Sequence, residues 1–229
     1  MLKVLSVTEL SCYVTGIFEA EELLHNLQVY GEASNISFVR GNIYFNLNNQ
    51  NKKIDISFVG NMYGFRKEML EKLSIDFPNL KMRFYGIYQS RKHIIAFLKF
   101  LLSGKARFFK NKNISPKRVN KLYNKSKIVL NFEHPQAEGG WSSRLVEILG
   151  SGAFQIVSHK DVLDYYFKDG LISFRSYEEL VSMIKLYLEN QTLRNLIMVE
   201  GHKKVFPQYT NYFQLQKIFN EIEASYGSD

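Results

Sequence analysis

The 229-residue chain has a single cysteine, Cys12, which excludes an internal disulfide framework and fits a reducing compartment. No apolar run reaches the roughly eighteen residues a membrane-spanning helix needs, and Lys3 is followed by no signal-peptide core. These absences argue against a disulfide scaffold, a membrane-spanning helix and a signal peptide. A cytoplasmic protein is expected, with peripheral attachment to a membrane left open. Acidic residues are missing from one long stretch: Lys81 to Lys127 holds fourteen Lys or Arg and no Asp or Glu. Residues 1–50 carry two basic and five acidic side chains, a net of −3, so the remainder carries +11 of the total +8. Such a basic stretch is a solvated face, a seat for a phosphate-bearing ligand, or a contact for an anionic membrane surface.

The chain has ample material for a core, with 45% apolar and 14% aromatic residues. From residue 54 onward, short apolar runs alternate with helical periods, which predicts a parallel α/β sheet. IDISFVG (54–60), LKMRFYG (80–86), KIVLNF (127–132), AFQIVS (153–158) and LISF (171–174) read as strands. FRKEMLEKLS (65–74) has helical spacing, and SPKRVNKLYNKS (115–126) opens with Ser at an N-cap and Pro at the first helical position. Residues 142–150 form the next helix, and 162–170 a short one closed by Gly170. HIIAFLKFLL (93–102) is a helix or buried segment, and ARFF (106–109) follows it. SYEELVSMIKLYLEN, QTLRNLIMVEGHKKVF and NYFQLQKIFNEIEASY are amphipathic helices that close the domain. There is no internal repeat and no low-complexity run.

In open α/β sheets, ligands sit beyond the carboxyl ends of the strands. Two places in this chain suit that position. At Gly60-Asn61 a strand gives way to a helix with Arg66 in its first turn, where free amides favour an anion. In EGGWSSRLVEILGSG (138–152), Gly139 and Gly140 let backbone approach a ligand, and Ser142 or Ser143 can cap the helix. Arg144 and Glu147, three apart, share a helix face. A carboxylate there can accept hydrogen bonds from two vicinal hydroxyls of a ribose while an arginine neutralises diphosphate charge. A surface ion pair between Arg144 and Glu147 explains the spacing equally well.

The runs SPKRVNKLYNKSKIVLNFEHPQAEGGWSSRLVEILGSGAFQIVS (115–158) and DYYFKDGLISFRSYEELVSMIKLYLENQTLRNLIMVEGHKKVF (164–206) carry a resemblance. They look like the C-terminal half of group 1 glycosyltransferases, closest to the spore-maturation-protein type. The likeness spans roughly residues 54–220, with IDISFVGNMYGFR (54–66) matching that subgroup's opening. The resemblance implies the Rossmann-like donor domain of the two-lobed GT-B fold, binding a nucleotide-diphospho-sugar. It places Glu147 on the ribose and Arg144 near the phosphates. It also implies transfer without a cofactor or bound metal, since basic side chains and helix ends stabilise the leaving diphosphate. Many relatives carry a second glutamate in an E-x7-E arrangement; Glu138 and Glu147 are nine apart and do not match it. His134 either lines the cleft or serves the core.

VLSVTELSCYVTGIFEAEELLHNLQVYGEASNISFVRGNIYFNL (4–47) resembles a different family, the N-terminal OB-fold of the exonuclease VII large subunit. Matching positions include Gly31, Glu32, Ser34, Asn35, Gly41, Tyr44 and Phe45. In that family the barrel contacts single-stranded DNA. Here Arg40-Gly41-Asn42 and Asn48-Asn49 replace the usual flanks, and about two of five barrel strands fit before residue 54. The net of −3 also lacks the cations that dominate nucleic-acid affinity.

The expected organisation is therefore a small α+β, partly OB-like segment over 1–50 and a Rossmann-like α/β donor domain over 54–229. The short first segment cannot supply the acceptor lobe, so a partner chain is expected to contribute it. A non-enzymatic module binding single-stranded nucleic acid through residues 4–47 and the basic stretch 81–127 is the alternative.

Overall fold

A computed structural model describes residues 52–88, 107–133 and 140–206, together with 102, 104, 208–209, 213–217 and 219–220. Residues 1–50 with their OB-like reading, and most of 93–102, lie outside the described residues.

Six strands form one parallel sheet: β1 (Ile54–Val59), β2 (Met82–Gly86), β3 (Phe109–Asn111), β4 (Ser126–Asn131), β5 (Gln155–Ser158) and β6 (Ile172–Phe174). The order is β3-β2-β1-β4-β5-β6, the doubly wound Rossmann arrangement. Its direction of winding reverses between β1 and β4, whose register sets Phe58 beside Leu130. The expected α/β fold with a Rossmann-like sheet is what forms. The short β3 begins at Phe109, the last residue of ARFF, and continues into the polar Lys110 and Asn111, a run too short and mixed to announce a strand.

Strands buried on both faces read as continuous apolar runs, and here the two faces have different covers. Ile56, Phe58, Met82, Phe84, Ile128, Leu130 and Ile156 pack beneath α1 (Gly64–Asp76) and α5 (Tyr177–Glu189), which contribute Leu70, Leu73, Leu180 and Ile184. On the opposite face, Val129 and Ala153 meet Tyr123 of α2 (Pro116–Lys125) and Ile148 of α3 (Ser143–Gly150). Val157 joins Leu145, Leu149, Leu163 of α4 (Asp161–Phe167) and Val205 of α6 (Gln191–Val205).

The helix ends follow their sequence signals in part. Ser176 caps α5 by accepting from the Glu179 amide at 3.1 Å, while Glu179 accepts from the Arg175 amide at 2.6 Å. Asn190 caps α6 through the Leu193 amide at 2.9 Å. Pro116 stands at the first position of α2, but Ser115 before it makes no side-chain cap. After α4 the left-handed residue is Asp169, φ 66°, rather than the expected Gly170. Gly170 is required by proximity: a Cβ there would lie 2.8 Å from the Cα of Gly201 on α6.

Candidate functional site

The carboxyl ends of β1 and β4 flank the point where winding reverses, the place a doubly wound sheet offers a ligand. Gly60 follows β1 directly at φ +155°, and its amide donates to the Tyr85 carbonyl at 2.8 Å. A Cβ on the neighbouring Gly86 would stand 1.9 Å from the Gly60 carbonyl oxygen. Two glycines thus allow the tips of β1 and β2 to touch, leaving the space above Gly60 to side chains from elsewhere.

That space is taken by Arg144. A Cβ on Gly60 would sit 3.2 Å from its Nη1 atom. Arg66, buried in the first turn of α1, donates from Nη2 to the Phe132 carbonyl at 2.7 Å, tying that helix to the end of β4. Its guanidinium also lies over the Tyr63 ring, 5.4 Å from the centroid. Burial lowers the Arg66 pKa most, Tyr63 and Glu133 counter it, and the Arg144 charge adds to the lowering. Two guanidinium groups therefore share one neighbourhood, each raising the field felt by the other. No side chain caps α1 at Tyr63 or α3 at Ser142. Both helices direct their N-terminal amides to this end of the sheet, where an anion complements them.

Glu147 lies on the half-buried side of α3. Burial pushes its carboxyl above the ordinary carboxylate value, and the Arg144 charge and the Ser143 hydroxyl draw it partly back. Beside them, Tyr123 of α2 buries its hydroxyl next to Arg144 and Glu147; burial raises its pKa and the Arg144 guanidinium draws it partly back. Arg144 reaches over Gly60 at the tip of β1, and its charge also acts on Glu147 one turn further along α3.

The start of α3 is held by a residue that sequence reasoning passed over. Glu133, 3% exposed, accepts from the Ser142 amide at 2.8 Å, from Ser142 Oγ at 2.7 Å and from Asn131 Nδ2 at 2.9 Å. Its own amide donates to Ser158 Oγ at 2.8 Å. Ser142 is thus the N-cap residue by position, but its hydroxyl is committed to Glu133 instead of the helix amides. The signal for Glu133 was available: an acidic residue two positions past a core strand, at the sheet's ligand-facing end. At the ends of β5 and β6, His159 contacts Ser173 Oγ at 3.1 Å, Asp161 at 3.0 Å and Arg175 Nη2 at 2.8 Å. Lys160 donates to the Gly140 carbonyl at 3.2 Å.

Of the residues expected at the site, Gly60, Arg66, Arg144 and Glu147 come together with Tyr123 and Glu133 added. Asn61 is exposed just beyond Gly60, and Ser143 is exposed at the start of α3. At Gly140 a Cβ would meet open space. Gly139, Glu138 and His134 lie outside the described residues.

Residues 66–220 match a family model described as glycosyl transferase-like. The chain belongs to that family. Among solved structures, it resembles the C-terminal domain of LpcC, a glycosyl transferase group 1 family protein of Francisella tularensis. Identity is 14% and the TM-score 0.52, over 74% of this chain and 97% of that domain. It also resembles a glycosyltransferase from Rickettsia africae, at 11% identity and a TM-score of 0.55, over 93% of this chain and 54% of that one. At such identities these likenesses concern the fold. A different partial likeness is to the exodeoxyribonuclease 7 large subunit of Clostridium perfringens, 37% identical over 89 residues. That match covers 38% of this chain and 21% of that protein, so the chain spans about a fifth of its curated relative. Among the described residues no helix is long and apolar enough to cross a membrane.

Proposed function

We propose that this chain binds a nucleotide-diphospho-sugar at the β1–β4 switch point and serves sugar transfer to an acceptor. The observation that carries the reading is the arrangement of Arg144 over Gly60 with Glu147 on the same face of α3. Glu147 accepts hydrogen bonds from the vicinal ribose hydroxyls. Arg144, Arg66, the Gly60-Asn61 turn and the amides that open α1 and α3 neutralise the diphosphate, with Gly140 and Ser143 beside it at the start of α3. As the sugar–phosphate bond breaks, negative charge grows on the departing diphosphate, and donors already in place stabilise it without reorganising. In this reading the arginines take the part of a metal ion, and no cofactor is needed. A partner chain supplies the acceptor lobe, and peripheral contact with an anionic membrane brings the acceptor within reach.

Isothermal titration calorimetry with UDP, GDP and their sugars tests the reading. A saturable heat is expected for at least one nucleotide, with Glu147→Ala weakening it by about 1.5–3 kcal/mol through loss of charged hydrogen bonds. Binding should survive EDTA. If no nucleotide binds, or binding is indifferent to Glu147→Ala, the assignment fails.

A further inference from the structure

On the side of the sheet that carries α2, away from the donor site, lies a second concavity. It has a volume of about 320 Å³ and runs between α2 and the start of β1. Four cations rim it: Lys112 after β3, and Arg118, Lys121 and Lys125 along α2. The last three recur at i, i+3 and i+7, so they form one stripe about 10 Å long on a single helix face. Ile54, Leu122 and Tyr85 contribute an apolar and aromatic floor.

None of the lining residues is acidic. Asp55, the only carboxylate of β1, is already held by Lys127 Nζ at 2.7 Å and by the Lys81 amide at 2.8 Å. Positive groups also crowd one another along the adjacent strand edge. Burial, then Arg83 and Lys112, holds the Lys110 ammonium below its usual range. Four like charges around one hollow repel, and that repulsion is relieved when an anion of several charges enters.

We propose that this groove binds a small soluble ligand bearing two or more phosphate groups. The spacing of the charges selects this occupant. The volume is at the lower end of the range for small-molecule sites, and four exposed cations line this open, shallow groove. The row of three cations suits a chain of phosphates lying along α2, with the apolar floor under an organic remainder. The site is independent of the donor reading, because α2 stands between them: Leu122 faces the groove, and Tyr123 stands beside Arg144 and Glu147.

The test is calorimetric titration of the full chain with inorganic tripolyphosphate at low salt, beside flotation with vesicles containing anionic lipid. Saturable binding is expected, weakening as salt is raised. The double variant Arg118→Glu/Lys121→Glu should weaken it at least about tenfold, while Arg118→Gln/Lys121→Gln should weaken it less. Both pairs are exposed side chains, and an unchanged thermal midpoint confirms that the variants fold. Arg144→Ala should leave tripolyphosphate binding at the groove in place. The proposal is overturned if no saturable binding occurs, if Arg144→Ala abolishes it while the groove variants do not, or if only the anionic vesicles are bound. Failure of the nucleotide titration alone would strike the donor reading and leave this one standing.

Discussion

Glu147 is shielded from water on a helix that carries a guanidinium one turn earlier, and shielding has a measurable sign. Its folded pKa lies above the ordinary 4.5, so the folded state holds the proton more tightly than the unfolded chain. That contribution to stability is complete at acid pH and is lost as pH rises through the folded value. At neutral pH the ionised carboxylate therefore opposes folding. Glu147→Gln is expected to keep or raise the thermal midpoint at neutral pH while weakening nucleotide binding, a pairing expected of a binding residue and not of a structural one. In the wild type, nucleotide affinity should fall as pH drops into the carboxyl's raised titration range, since the protonated group offers a poorer acceptor; calorimetry across pH checks it. Lys52 gives the opposite sign. Burial and then the Arg194 charge hold its pKa down to about 8, so stability should climb as pH rises from about 8 toward 10.5. Thermal melts of Lys52→Gln should lack that climb. Neither shift can be read from residue order, because each depends on what other elements pack around the side chain.

At the scale of elements, two joints set the site. The first is the Glu133 carboxylate, which holds the start of α3 through Ser142. Glu133→Ala strands the buried donors of Ser142 and Asn131 and is expected to cost about 2–3 kcal/mol, seen as a lower urea midpoint. Nucleotide affinity should drop with it, because Arg144 and Glu147 take their positions from that helix. The second joint is the contact between the tips of β1 and β2. Gly86→Ala would drive a Cβ to within 1.9 Å of the Gly60 carbonyl, so the strand ends must separate. A loss of about 2–4 kcal/mol is expected by chemical denaturation, with weaker nucleotide binding as the Gly60 turn shifts. The elements themselves were largely readable in advance. IDISFV and KIVLN are apolar enough to be strands only where both faces are covered, and Ser176 with Glu179 marks a helix start. The joints were not. Glu133 looks like any acidic loop residue until the Ser142 amide is found 2.8 Å away.

Among the described residues, the six-stranded sheet and its covering helices enclose a core that runs from Ile56 to Leu215. A chain beginning at Lys52 is therefore expected to melt in one cooperative transition and to bind nucleotide as the full chain does; differential scanning calorimetry and the same titration check both. Charge distribution acts at this scale too, since the basic stretch 81–127 becomes a rimmed groove only when α2 folds against β1 and β2. Residue order determined the alternation of apolar runs and helical periods, the lone carboxylate and arginine of α3, and the family likeness. These are local or linear properties, carried by spacing and side-chain type. Tertiary structure alone decided that Arg144 lies over Gly60, that Glu133 anchors α3, and that four cations face one hollow. Such contacts join residues up to eighty-four positions apart, and the free energy of burying or pairing a charge depends on which groups meet in space.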